Sequence, residues 1–70
     1  MSGEALKNER ERLGLTVHDI SRLTGMSPRQ INAIEQDDFV ELCGNPLTLG
    51  RYLKIYAKKL EMEAIKRSHY

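Results

Sequence analysis

The sequence predicts an all-α fold: a compact bundle of four to five helices built on a helix-turn-helix. Three observations point there. Apolar residues recur at helical spacing, with Val17, Ile20 and Leu23 at three-residue steps, Ile31 and Ile34 continuing the stripe, and Leu49, Leu53, Tyr56 and Leu60 forming a longer one. Between the first two stretches stands Gly25, a residue able to take φ > 0 and end a helix. Ser27, Pro28 and Gln30 then supply an N-cap, a first-turn proline and the partner that closes a capping box.

The first helix, about residues 4–13, is mostly charged. Leu6 and Leu13, seven residues apart, give it a narrow apolar seam with Ala5 beside it, and Gly14 stops it. Thr16 caps a second helix at about 17–24, with Asp19 in the acidic capping position. Ser21 is small where this helix meets the next, and Met26 plugs the turn between them. The third helix covers about 28–36.

Asp37 to Asn45 reads as a connector, and Phe39 and Leu42 are expected to pin it beneath the first three helices. Asn45 and Pro46 open the last helix, about 46–60. At 100° per residue Leu49, Leu53, Tyr56 and Leu60 fall within about 60°, which defines its buried face. Ala57 and Tyr52 flank that face, and Arg51, Lys54 and Lys58 cluster opposite it. Residues 61–67 contain no breaker, so they extend this helix or form a fifth, with Met62 and Ile65 as apolar contacts. A single domain over 1–70 is expected.

Seventy residues bury only ~60 % of their unfolded surface, and a core of this size supplies no more than ~3–5 kcal/mol. A single cysteine, Cys43, allows no internal disulfide, so helix packing must hold the fold, as suits a reducing compartment. With neither a signal-like apolar run nor the ~20 apolar residues of a membrane span, the segment reads as soluble and cytoplasmic. The soluble end of a longer, anchored chain would look the same. Net charge is +1, unevenly spread: zero over residues 1–22, −3 over 23–45 and +4 over 46–70.

Two binding readings stand side by side. In a DNA-reading helix-turn-helix the start of the second motif helix enters the major groove, where Gln and Asn pair with adenine and Arg with guanine. Ser27, Arg29, Gln30 and Asn32 suit that task, with Arg22, and with Lys7 and Arg10 adjacent, as the phosphate-attracting charges. Against it, Ser27 and Gln30 are also what a capping box consumes, and the acidic group Glu35, Asp37 and Asp38 follows closely. A protein-binding surface is the other reading. Tyr52 lies at the margin of the last helix beside Ile55 and Lys59, an amphipathic aromatic of the kind interfaces favour, whereas Tyr56 sits near the centre of the apolar face and reads first as packing. The basic stripe Arg51, Lys54 and Lys58 reads first as a solvated face. Its functional version is electrostatic steering toward an acidic filament, nucleic acid or an anionic membrane. His18, His69 and Cys43 have no companions at metal-ligand or catalytic spacing, and no acid–base pair or phosphate-cradling loop occurs. Neither an enzyme nor a cofactor or metal site is expected.

The chain resembles the N-terminal cytoplasmic helix-turn-helix domain of RodZ-type bacterial cell-shape proteins, within the wider Xre or repressor-like class. The likeness runs from Gly3 to Leu60. It rests on Gly3-Glu4-Ala5-Leu6-Lys7-Asn8-Glu9-Arg10, Gly14-Leu15-Thr16, Glu35, Asp38-Phe39, Leu42, and above all on Tyr52, Leu53, Lys54 and Tyr56-Ala57 in the last helix. Cys43, Arg51 and Glu61 depart from the family's pattern. The resemblance implies an adaptor that docks on the actin-like filament protein MreB, with a single transmembrane helix elsewhere in the full protein. By position it implies a docking surface around Tyr52 and Tyr56, with Ile55, Lys59 and Arg51 beside them. A sequence-specific Xre-type DNA-binding regulator is the alternative.

Overall fold

The structure, a computed structural model, describes residues 2–38 and 46–68, with nothing to be said of the side chains at 46 and 47. Its described residues form four helices and no strand: α1 Gly3–Arg12, α2 Val17–Thr24, α3 Pro28–Glu35 and α4 Pro46–Ser68. Phe39, Leu42, Cys43, Asn45 and His69 lie outside the described residues.

Each short helix is delimited by local chemistry. The Ser2 hydroxyl accepts from the Ala5 N–H at 3.2 Å to start α1, and Gly14, at φ 73°, turns the chain after it. At the start of α2 the Thr16 hydroxyl accepts from the Asp19 N–H at 3.1 Å, and the Asp19 carboxylate accepts from the Thr16 N–H at 2.9 Å. Both halves of that capping box satisfy donors that a helix start otherwise leaves orphaned. The same device opens α3: Ser27 Oγ accepts from the Gln30 N–H at 3.2 Å and Gln30 Oε1 from the Ser27 N–H at 2.9 Å, with Pro28 in the first turn.

Between α2 and α3, Gly25 takes the left-handed conformation at φ 79° and its N–H donates to the Ser21 carbonyl. The Ser21 hydroxyl reaches across the turn to donate to the Met26 carbonyl at 2.6 Å, and Met26 itself is buried. A small hydroxyl residue thus serves both close helix approach and the satisfaction of a turn carbonyl.

The core is Leu6 and Leu13 from α1 and its end, Leu15, Ile20, Met26, Ile31, Ala33 and Ile34, closed by Tyr56 and Leu60 of α4. Ile20, Ile31 and Ile34 are almost fully enclosed, each worth ~1.5–3 kcal/mol relative to exposure. Leu49, Tyr52, Leu53, Ile55, Ala57 and Ala64 pack partly buried against that core. In α4 the helix runs unbroken for 23 residues, about 34 Å at 1.5 Å per residue, and accounts for the long axis of a 41 × 20 × 19 Å molecule. It lies against α1 and α2. No helix among the described residues is long and apolar enough to cross a membrane.

A backbone contact locks α1 onto α3. A Cβ added at Gly3 would overlap the Ile34 carbonyl oxygen and come within 2.8 Å of the Glu35 carbonyl oxygen. The Gly3 N–H donates to Asp37 Oδ1 at 3.0 Å, and Asp37 stands at φ 56° just past the α3 C-cap. Only a residue without a side chain fits where α1 begins.

Candidate binding surfaces

At the start of α3 the residues suited to reading bases are divided in their employment. Ser27 and Gln30 are occupied with each other's backbone N–H groups in the capping box. Arg29 and Asn32 are exposed on the outer side of the helix, with Gln36 exposed one turn further. Arg22 on α2 is exposed and pairs with Asp19 at 2.5 Å, a solvated contact of the kind that contributes little.

Two charges assigned to this surface from the sequence belong elsewhere. Arg10, read as a neighbour of the DNA face, is only 8 % exposed, and Glu35, read as part of an acidic surface group, is equally buried. The guanidinium grips the carboxylate with two bonds, Nε to Oε2 at 2.7 Å and a terminal nitrogen to Oε1 at 3.1 Å. Its other terminal nitrogen donates to the Leu15 carbonyl at 2.9 Å. Burial of both ions, with the guanidinium fork matched to the carboxylate, explains the assignment. The surface around α3 therefore carries one fewer acid and one fewer base than composition suggests.

Tyr56, carried from the resemblance as part of a docking surface, is fully buried and offers a partner nothing. Its hydroxyl donates to Glu35 Oε2 at 2.5 Å. Burial, then the bond to Glu35 and that group's charge, push the phenol well above its ordinary range, with Arg10 acting in the opposite direction. Sequence held a signal for this cluster. Arg10 falls in step with Leu6 and Leu13, and Glu35 with Ile31, so each is a charge on a buried stripe and needs a partner.

The remaining α4 residues form a real margin. Tyr52, Ile55 and Lys59 are partly buried along one side of the helix, and Arg51 next to them is exposed. Tyr52 and Ile55 pack one edge against the core while leaving surface in solvent. Apolar bodies fixed by packing, beside long cations, make a surface that a protein partner can cover without reordering much. His18 is exposed, and among the described residues no group of three or more His, Cys, Asp or Glu is placed to hold a metal ion.

A helix-turn-helix with an exposed motif helix and an aromatic margin on its last helix defines a binding module whose partner is nucleic acid or protein. The family model for the helix-turn-helix domain matches residues 5–66, and the chain belongs to that family, whose members are typically non-catalytic. Neither a curated protein nor a solved structure gives a significant match.

Proposed function

We propose that this chain is a cytoplasmic adaptor of the RodZ type, docking on an actin-like filament of the MreB kind in the control of bacterial cell shape, as the cytoplasmic end of a single-pass inner-membrane protein. The observation that carries the reading is the α4 margin: Tyr52 and Ile55 are partly buried against the core with an edge left in solvent, flanked by Lys59 and exposed Arg51. Support also comes from α3, where two of the residues suited to base readout are used for capping. Co-sedimentation of the folded domain with polymerised MreB tests it. Tyr52→Ala combined with Lys59→Ala should weaken binding without loss of helicity. Unchanged binding by that variant would remove the surface from consideration.

A DNA-binding regulator is the second reading, favoured by the exposure of Arg29 and Asn32 on the outer side of α3. It requires retardation of duplex DNA at low salt that declines steeply as salt rises.

A further inference from the structure

Apart from Arg29, which is engaged by a partner, the cations of the described residues fall into two sets. Arg10, Arg12, Arg22, Lys66 and Arg67 each sit on a carboxylate, those of Glu35, Glu9, Asp19 and, for the last two, Glu63. Arg51, Lys54, Lys58 and Lys59 on α4, together with Lys7 on α1, pair with no described residue. The first three of these are exposed.

At about 100° per residue, Arg51, Lys54 and Lys58 lie within about 60° of one another, on the side of α4 facing away from buried Tyr56 and Leu60. The two large apolar side chains left exposed among the described residues, Met62 at 43 % and Ile65 at 49 %, fall in the same sector and widen it only to about 80°. From Arg51 to Ile65 this face runs about 21 Å along a straight helix. The acid closest to it along the helix, Glu61, stands at its edge and forms no ion pair with a described residue.

We infer that the outer face of α4 binds an anionic lipid surface, lying along it with three cations on the headgroups and Met62 and Ile65 in the interfacial layer. Charge complementarity selects an anionic partner, since these cations have no internal carboxylate to satisfy them. The apolar pair then separates lipid from nucleic acid. Against a phosphate backbone Met62 and Ile65 would gain no apolar contact, whereas at a headgroup boundary they leave water. A straight row of charges also fits a plane better than a groove. The Tyr52–Ile55–Lys59 margin adjoins this face and shares Arg51 with it, but Lys54, Lys58, Met62 and Ile65 lie outside that margin, so this inference stands independently of the adaptor reading.

The test is co-sedimentation of the 70-residue chain with vesicles of phosphatidylglycerol and phosphatidylcholine in equal parts, and with phosphatidylcholine alone. Binding is expected only to the anionic vesicles, weakening as salt shortens the ~8 Å reach of the charges. Each cation near such a surface is worth about fivefold in partitioning, so Arg51→Gln, Lys54→Gln and Lys58→Gln together should weaken it about a hundredfold. The control removes equal charge from paired sites, by Arg12→Gln, Arg22→Gln and Lys66→Gln, and should change it only a few-fold. Met62→Gln with Ile65→Gln should abolish the part of the binding that survives added salt. Circular dichroism must show parental helicity in every variant, which the exposure of all the substituted residues favours. Equal loss in the triple variant and its control, equal binding to neutral vesicles, no binding to anionic ones at low salt, or displacement by duplex DNA at matched charge would each overturn the inference.

Discussion

The Tyr56 hydroxyl and Glu35 meet at 2.5 Å inside the molecule, on the same carboxylate oxygen that Arg10 Nε holds from the other side. One carboxylate thus receives α1 through Arg10, α4 through Tyr56, and is itself the last residue of α3. Removing one member of a buried ion pair costs far more than removing both, because the survivor is left charged and uncompensated.

Glu35→Leu should therefore destabilise the domain by about 3–5 kcal/mol, which is the size of its entire expected stability, and leave it largely unfolded at room temperature. Arg10→Met with Glu35→Leu should recover much of that loss. Tyr56→Phe, which leaves the ion pair intact, should cost only about 1–2 kcal/mol. Urea titrations of the parent, Arg10→Met, Glu35→Leu and their double variant, read as a double-mutant cycle, measure the coupling, with Tyr56→Phe titrated beside them.

Alkaline sensitivity follows from the same phenol. Its folded value is raised above the unfolded one, so its contribution is fully present below about pH 10 and is lost as pH rises beyond that. The loss approaches about 1.4 kcal/mol per pH unit, since the unfolded chain releases a proton that the folded chain retains. Urea midpoints at about pH 9 and about pH 11 should fall more for the parent than for Tyr56→Phe. Parallel declines in the two proteins would refute this origin.

Two glycines should respond oppositely to one substitution. At Gly3 a methyl group would overlap the α3 backbone, so Gly3→Ala should destabilise by about 1–3 kcal/mol despite alanine's better helix propensity. Gly50 lies within α4 with open space where a Cβ would go, so Gly50→Ala should stabilise by about 0.5–1 kcal/mol. Thermal melts followed at the helical band decide both signs.

The α4 margin and the α3 outer side make separable demands on a partner. Tyr52→Ala should reduce filament co-sedimentation about tenfold or more, as loss of a central aromatic contact does, while Asn32→Ala with Arg29→Ala leaves it unchanged. The reverse pattern, with loss of DNA retardation, would assign the chain to nucleic acid.

What the sequence made legible was mostly local. Thr16 with Asp19, and Ser27 with Gln30, announce helix starts because their hydrogen bonds span three residues, and the glycine turn at Gly25 is equally self-contained. The isoleucine stripe likewise reveals its burial through spacing alone. Arg10 and Glu35 are separated by 25 positions, and nothing in either neighbourhood specifies the other. Counted by composition they looked like surface charge. Gly3 was similarly opaque, since its demand comes from the backbone of α3 and from Asp37, not from anything beside it in the chain. The Tyr52 margin was readable as an edge of the helical wheel, but an edge names no partner.

Although Tyr56 can give way to phenylalanine at modest cost, positions 10 and 35 are not free to drift one at a time, because a buried carboxylate answers to a buried guanidinium. A lineage that lost the acid would retain the base only at the risk of losing the domain, so viable descendants should exchange these residues jointly or not at all. The pair is an epistatic lock. Its constraint ties α1 to α3 from within, while the exposed side of α4 answers to whatever it binds.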